Sequence, residues 1–159
     1  MPNWIIRDAQ AGDEDRILAL IGELALYEKA PDQVAAQASD ISRALFSDSP
    51  TAECVLAESD GESLGFALFF SNFSTWTGRP GLYLEDLFVR ESARGAGIGK
   101  ALLLHLASTA RLRAYGRMEW SVLDWNQPAI DFYESLGATP MNGWTVYRLD
   151  QAALNALDS

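Results

Sequence analysis

A glycine-rich stretch between a predicted strand and a predicted helix is the part of the chain best suited to bind an anion. It reads Arg94-Gly95-Ala96-Gly97-Ile98-Gly99-Lys100, and an apolar helix is expected directly after it, over 101–114. Glycines permit a tight turn whose N–H groups point inward, and the first turn of a helix adds unpaired N–H groups and a positive dipole end. The pattern indicates a phosphate site.

The spacing of this loop excludes two common nucleotide-binding motifs. A dinucleotide fingerprint that starts at Gly95 needs a glycine where the chain has Lys100. A P-loop needs Ser or Thr where the chain has Ala101, and its first glycine would fall on Arg94. The pattern that remains is Arg-x-x-Gly-x-Gly. The alternative is a glycine-rich turn that only separates a strand from a helix.

The distribution of charge fits an anionic ligand at this loop. Six of the twelve bases lie between positions 90 and 117 beside one acid, Glu91, so the remainder of the chain has six bases and 21 acids. A basic middle in an acidic protein suits an anionic cofactor and a cationic second substrate. Arg111 and Arg113 are instead expected to complement the C-terminal end of their helix.

Composition limits the class of protein and its partners. The chain has 159 residues, of which 48% are hydrophobic and 21% charged, as in a globular domain with a core. A net charge of −10 argues against non-specific nucleic-acid binding. No apolar run could span a bilayer, no signal peptide is visible, and a single cysteine forms no internal disulfide, so we expect a cytoplasmic protein without a membrane partner.

The elements expected around the loop predict a mixed α/β sheet. Asp60-Gly61 indicates a hairpin turn, and hairpins alternate with strand–helix–strand units, so one α/β (α+β) domain is expected over residues 1–159. Strands are predicted over 3–7, 51–58, 63–73, 81–89, 117–123 and 144–149. Helices are predicted after Asp13 up to Tyr27, after Ser39, and over 101–114, 127–136 and 151–157.

A second motif, over residues 122–137, helps to interpret the glycine-rich loop. It begins with Asn126-Gln127-Pro128, continues with Phe132-Tyr133 and ends with Leu136-Gly137. Together with the Arg94 loop it resembles the conserved motifs of the GCN5-related N-acetyltransferases (GNAT), and the resemblance covers nearly the whole chain. It implies the GNAT fold, a mixed and mostly antiparallel central sheet of about six to seven strands, flanked by helices and splayed at the strand that carries residues 85–89.

Within this family the chain looks like the diamine and thialysine acetyltransferase branch. The likeness rests on Tyr27-Glu28, Trp76-Thr77-Gly78-Arg79, Leu82-Tyr83-Leu84-Glu85-Asp86 and Asp124-Trp125-Asn126. Spermidine-using members typically have an acidic residue just before the tryptophan, whereas this chain has Ser74-Thr75, as in thialysine-type members. The branch implies acetyl-CoA as the donor, a small amine as the acceptor and a homodimer.

The resemblance also assigns the donor site. A backbone N–H of Leu87 or Phe88 is expected to stabilise the oxyanion. Tyr133 is the expected general acid, because a phenol with a pKa of about 10 stays protonated while a thiol with a pKa of about 8.5 leaves as an anion; the alternative for Tyr133 is core packing. The expected donor-binding residues are Leu87, Phe88, Val89, Arg94, Gly95, Ala96, Gly97, Ile98, Gly99, Lys100, Asn126 and Tyr133.

Five residues are expected around the acceptor amine: Tyr27, Glu28, Trp76, Glu85 and Asp86. Regular pleating sends the adjacent Glu85 and Asp86 to opposite faces, so both reach one site only if a β-bulge intervenes, as the family implies. Glu85 is the candidate to attract the ammonium group and take its proton. Asp86 is either its partner or a solvated carboxylate, and Trp76 offers either a cation–π contact or a hydrophobic plug.

Two interpretations compete with a small-molecule acetyltransferase. One is a module that binds or senses acyl-CoA without turnover, and the other is a protein lysine acetyltransferase. No metal site is expected, because His105 stands alone among leucines on its helix. Cys54, in an alternating strand with no histidine near it in sequence, is expected to be a buried thiol rather than a nucleophile.

Overall fold

Five strands form one mixed sheet in the first of two compact units, which meet in sequence between Ser121 and Val122. The structure, a computed structural model, describes residues 3–157. The strands are β1 (Ile5–Asp8), β2 (Glu53–Ser59), β3 (Glu62–Ser74), β4 (Arg79–Val89) and β5 (Met118–Glu119). The helices are α1 (Glu14–Tyr27), α2 (Ala38–Phe46), α3 (Ile98–Leu112), α4 (Gln127–Ser135) and α5 (Gln151–Asn155).

The sheet has the predicted mixed and mostly antiparallel character but fewer strands than expected. Its order is β1-β2-β3-β4-β5; the first three pairings are antiparallel and β4 pairs with β5 in parallel. The expectation of six to seven strands was wrong, since the stretch predicted over 144–149 forms no strand. Alternating side chains mark a surface with two different faces, but a strand also needs a paired neighbour.

The two faces of the sheet carry separate helical layers. On one face α1 and α2 enclose a core formed by Ile17, Leu20, Ile41, Cys54, Leu56, Phe66 and Phe88. On the other face lies α3, where a Cβ built on Gly99 would lie 3.7 Å from the side chain of Val89. Since Leu87 and Val89 point to α3 while Phe88 points to α1, β4 is anchored on both faces just before the glycine-rich loop.

Helix α1 begins at the predicted residue, but not by the predicted cap. Asp13 occupies the N-cap position without a side-chain capping bond. Its carboxylate instead accepts hydrogen bonds from the Arg7 guanidinium at 2.8 and 3.0 Å and from the Gln10 N–H at 2.8 Å. The bond from Arg7 holds the pKa of Asp13 below its ordinary value. This ion pair ties β1 to the start of α1.

The second unit contains α4 and α5, joined by a segment without regular secondary structure. Asn126 begins α4, as predicted, and its Oδ1 accepts a hydrogen bond from the Ala129 N–H at 3.4 Å. Asp150 caps α5 in the same way, at 2.8 Å to the Ala153 N–H. Among the described residues of this unit, Asn126 alone is buried. Within residues 3–157, no helix is both long and apolar enough to cross a membrane.

Candidate active site

A β-bulge at Glu85 interrupts the pairing of β3 with β4. Leu68 lies opposite Asp86 and Phe69 lies opposite Leu84, so Glu85 is the extra residue without a partner on β3. The predicted bulge is therefore confirmed. A bulge bends its strand and re-aims the neighbouring side chains, which is why adjacent carboxylates can both serve one site.

The bulge places Asp86 on the face of the sheet covered by α1. Cys54, Leu68 and Asp86 lie side by side across β2, β3 and β4, and Cys54 belongs to the core on that face. Burial, together with the negative charges of Glu85 and Glu28, raises the pKa of Asp86 to about 6. Three of the five predicted acceptor-site residues are thus close enough to interact electrostatically.

The other two carboxylates differ from Asp86 in their surroundings. Glu85 is exposed at the bulge. Glu28 directly follows α1 as its C-cap residue, and partial burial raises its pKa. Asp86 is therefore a carboxyl with a pKa of about 6, and its neighbours Glu85 and Glu28 add negative charge.

Strand β4 separates from β5 before it reaches the bulge. The parallel pairing consists of Leu82 with Met118 and Tyr83 with Glu119. Within residues 3–121, no strand pairs with the β5-facing edge of β4 beyond Tyr83, so no strand ladder occupies that edge over residues 84–89. This agrees with the predicted splay, and Leu87, Phe88 and Val89 lie along the open edge.

The open edge runs into the predicted anion-binding loop. Gly95 and Gly97 have φ angles of +87° and +80°, a region that favours glycine, and Gly97 is the N-cap residue of α3. Ile98 is buried and anchors the helix start, whereas Ala96 and Lys100 are exposed. The first turn of α3 has no acidic residue. The loop therefore presents helix N–H groups and a positive dipole end to the outside.

Ion pairs within the protein engage half of the basic residues in this segment. Arg90 pairs with Glu23 at 2.9 Å, Arg113 with Glu53 at 2.7 Å, and Arg117 with Glu119 at 3.2 Å. Arg113 follows the last turn of α3, consistent with its predicted structural role. Among the described residues, no ion pair engages Arg94 or Lys100, which leaves the two bases that flank the glycines as charges for an anionic ligand.

The structure does not bring Trp76 to the carboxylates within one chain. Trp76 lies in the turn between β3 and β4 and is 82% exposed. The backbone N–H of Trp76 donates to Ser74 Oγ at 3.2 Å. From Arg79, where β4 begins, the strand runs seven residues to Asp86, or roughly 20 Å at about 3.3 Å per residue. The amine contact of Trp76 stays a prediction.

The second motif places its two functional candidates on α4. Asn126 is the buried N-cap residue, and Tyr133 lies two turns later, half-buried, with its ring centroid 5.5 Å from that of Phe132. The Tyr133 carbonyl oxygen accepts hydrogen bonds from the N–H groups of Leu136 and Ala138, which closes the helix before Gly137. Both side chains are therefore positioned by one short capped helix.

Cys54 and Tyr27 show what the sequence could and could not reveal. Cys54 is buried, and burial raises the pKa of its thiol to about 12, with the charges of Asp13 and Asp86 acting in the same direction; the interpretation as an inert thiol agrees with this. Tyr27 was expected near the amine, but its ring lies against Arg94 of the loop. No local sequence signal links residues so far apart in the chain.

Comparison with known proteins gives the geometry a family context. Residues 20–138 match the model of the Acetyltransferase (GNAT) family. Thialysine N-epsilon-acetyltransferase of Sus scrofa is 37% identical over an alignment that covers 99% of this chain and 98% of that protein. Spermidine/spermine N(1)-acetyltransferase-like protein 1 of Homo sapiens is 36% identical over 97% of this chain, but over 24% of its own length.

A solved structure extends this likeness to the fold. An integron cassette protein from the mobile metagenome of V. cholerae superposes with a TM-score of 0.80 and is 31% identical in sequence. The superposition covers 98% of this chain and 97% of the other. The superposed region therefore includes both the residues of the sheet and those of α4.

Proposed function

Because the chain belongs to the acetyltransferase (GNAT) family, we propose that it transfers an acetyl group from acetyl-CoA to the primary amine of a small cationic substrate. Membership makes the protein an acetyl-transferring enzyme. The observation that carries the finer proposal is the continuous path from the carboxylates at the bulge, along the open edge of β4, to the glycine-rich loop. One end of that path suits a cation and the other suits phosphates.

The residues at the loop fit the donor. Positive φ at Gly95 and Gly97 turns the backbone, and Ala96, Ile98, Gly99 and Lys100 continue it into the unpaired N–H groups of α3. In this proposal these residues and Arg94 hold the pyrophosphate, the backbone of Leu87 and Val89 meets the pantetheine arm, and Asn126 contributes from α4. Acetyl-CoA supplies the activated acetyl group.

The carboxylate cluster would bind the amine as an ammonium ion and remove its proton. Glu28 and Glu85 attract the cation, and Glu85 or Asp86 accepts the proton, directly or through water. Asp86 is well suited to this step, because a base with a pKa of about 6 holds a proton more firmly than an ordinary carboxylate yet remains ionised at neutral pH. The neutral nitrogen then attacks the acetyl carbon.

Transfer forms the C–N bond and breaks the C–S bond. An N–H of Leu87 or Phe88 donates to the carbonyl oxygen as it becomes negative, and Tyr133 gives its phenolic proton to the departing sulfur. The nitrogen loses its second proton to solvent as the amide forms, and solvent returns a proton to the Tyr133 phenolate. The half-buried position of Tyr133 on a capped helix supports this role. The reaction is a direct transfer in which no acyl-enzyme forms.

The substrate class follows from the carboxylates and from the relatives. Thialysine and spermidine/spermine appear in the names of proteins similar to this chain, and both kinds of molecule carry primary amines on flexible chains. We therefore infer a thialysine-like amino acid or a di- or polyamine as the acceptor. Further parts of the proposal are one functional acetyltransferase domain over residues 1–159, a homodimer and a cytoplasmic location without a nucleic-acid partner.

Turnover against a panel of amines tests the proposal. Release of the CoA thiol would be followed with thialysine, lysine, putrescine, spermidine and a lysine-containing peptide, and acetyl-CoA binding would be measured by calorimetry. Saturable turnover with a small amine supports the proposal. Turnover with the peptide alone indicates a protein acetyltransferase, binding without turnover indicates a sensing module, and absence of binding refutes the assignment of the loop.

A further inference from the structure

Tyr27, the last residue of α1, contacts Arg94 at the start of the glycine-rich loop. The guanidinium carbon of Arg94 lies 4.9 Å from the centroid of the Tyr27 ring and 5.6 Å from that of the Phe88 ring. Both distances are within the range of about 6 Å in which an aromatic face attracts a cation. Arg94 Nε also donates to the Val89 carbonyl oxygen at 3.1 Å. Two rings and one backbone oxygen therefore hold a single side chain.

These contacts restrain Arg94, which lies just before Gly95 and Gly97. Gly95 and Gly97 supply the left-handed backbone of the loop, and glycine has more conformational freedom to lose than any other residue. Phe88 and Val89 belong to the sheet, so they provide a fixed base. Tyr27, which is 38% exposed, covers the guanidinium from α1. The loop is thus held between a strand and a helix.

The end of α1 is itself closed by backbone hydrogen bonds. The Glu28 N–H donates to Leu24 at 2.9 Å, and the Ala30 N–H donates to Ala25 at 2.8 Å. Lys29, at φ +62°, makes the left-handed turn that ends the helix. Tyr27 and Glu28 are therefore fixed in one turn, with the ring against Arg94 and the carboxylate within electrostatic reach of Asp86.

We propose that Tyr27 is a positioning residue that holds the donor-binding loop through Arg94 and thereby links that loop to the carboxylates of the acceptor site. This inference rests on the proposed function. It differs from the expectation that Tyr27 contacts the amine, because the guanidinium already lies over the ring and would repel a second cation on that face. Loosening this contact raises the mobility of the loop and lowers its affinity for the donor.

Exchange of the ring tests the contact. Tyr27→Leu keeps an apolar, helix-favouring side chain without an aromatic face, and we expect it to weaken acetyl-CoA binding by about two- to fivefold, the size of an exposed cation–π contact. Tyr27→Phe keeps the face and should retain the wild-type dissociation constant. Leu26→Ala removes a neighbouring exposed apolar side chain and is the matched control. An unchanged constant in Tyr27→Leu, or equal losses in the Leu and Phe variants, overturns the proposal.

A double-mutant cycle shows whether Tyr27 acts through Arg94. In an Arg94→Gln background, Tyr27→Leu should cause no further loss of acetyl-CoA affinity, because its partner is already absent. An additional loss of the same size in that background would mean that Tyr27 acts by another route. In steady-state kinetics the Tyr27→Leu variant should raise KM for acetyl-CoA and leave kcat near the wild-type value; a fall in kcat alone contradicts the proposal.

Hydrogen exchange separates this inference from the proposed function. In the ligand-free protein, Tyr27→Leu should speed amide exchange in residues 94–100, whereas Tyr27→Phe should not. Arg94→Lys, which keeps the charge but loses the planar guanidinium, should speed the same amides without any change in α1. If exchange rises as expected in a protein that binds no acetyl-CoA, the contact stands and the donor assignment fails. If exchange is unchanged in both the Leu and Lys variants, the positioning role fails whatever the enzyme binds.

Discussion

The region around the glycine-rich loop and the region around α4 carry equally specific motifs but are built in different ways. Leu84, Phe88 and Ile98 are all buried around the open edge and the loop, so two packed faces fix that region. In residues 122–157, α4 and α5 bury no side chain, and local caps at Asn126 and Asp150 define the helices. The first region contains part of the core, whereas α4, which carries the residue proposed for proton transfer, begins at a side-chain cap.

We therefore expect substitutions in the two regions to change different kinetic quantities. Substitutions in the packed region should change donor affinity, because they move the backbone that we propose to bind the phosphates. Substitutions on α4 should change the rate of the chemical step and leave affinity nearly intact. A variant that changes both quantities equally would contradict this expectation.

The largest effect is expected for Tyr133→Phe. Loss of the phenolic proton should lower kcat by about 100-fold, at the lower end of what a general acid contributes, while the acetyl-CoA dissociation constant stays within about twofold. Thiol release and calorimetry measure the two quantities. Phe132→Leu removes the neighbouring ring and controls for packing. A wild-type rate in Tyr133→Phe would exclude the tyrosine from proton transfer.

The next largest effect is expected for Gly97→Val. A β-branched residue at φ +80° is strained by at least about 1–2 kcal/mol, so the turn into α3 should open and acetyl-CoA should bind about tenfold more weakly. Gly22→Ala, within α1, adds a methyl group where no atom lies within 4 Å and serves as the control. Unchanged calorimetric affinity in the valine variant would mean that the loop does not hold the donor.

Asp86→Asn should slow the enzyme and stabilise the fold. Burial raises the folded-state pKa of Asp86 to about 6, above its unfolded value, so the folded state binds its proton more tightly and stability falls as pH rises through that window. At pH 7.5 the amide removes this penalty, and we expect a gain of about 1–3 kcal/mol in the free energy of unfolding. At pH 4 the gain should be small.

The same variant tests catalysis. We expect kcat/KM to fall about tenfold, and the decrease of kcat/KM below about pH 6 in the wild type should disappear. Urea unfolding at the two pH values and a pH–rate profile give the measurements. If Asp86→Asn keeps both the wild-type kcat/KM and its decrease at low pH, the Asp86 carboxyl destabilises the fold without contributing to catalysis.

The smallest effect is expected for Glu28→Gln. Removal of this charge relieves repulsion at Asp86, so the acid limb of kcat/KM should move to lower pH. The KM for a cationic amine should rise about two- to fivefold, as for one partly exposed charge contact. Glu23→Gln, a carboxylate on α1 that pairs with Arg90, is the control. Equal effects of Glu28→Gln and Glu23→Gln would show that the change in KM comes from the net charge of the protein and not from a contact of Glu28 with the amine.

Much of the fold could be predicted because its elements bury one face each. Hydrophobic spacing indicated α1, α3 and the strands β2 to β4, and the turn at Asp60-Gly61 is present with both φ angles positive. The strand predicted over 117–123 is only two residues long, and 144–149 is not a strand. Alternation reveals which side chains could share a face, but the partner strand is supplied by distant parts of the chain.

The candidate site was predictable in its parts more than in its arrangement. The loop glycines, the bulge and the Asn126 cap followed from the residues and the family resemblance. The greater burial of Asp86 than of Glu85 did not, because it depends on α1 lying over that face of the sheet. The contact of Tyr27 with Arg94 was also invisible, since it joins a helix end to a loop across the fold.

The order of the strands also bears on how the chain is made. Because β1 to β4 are neighbours in the sheet in the same order as in the sequence, each strand leaving the ribosome can add to an edge that already exists. Hairpin connections from β2 to β4 keep these pairings local, which favours rapid folding. The glycine-rich loop follows the last of these strands, so β1 to β4 can already be paired when the loop and α3 are synthesised.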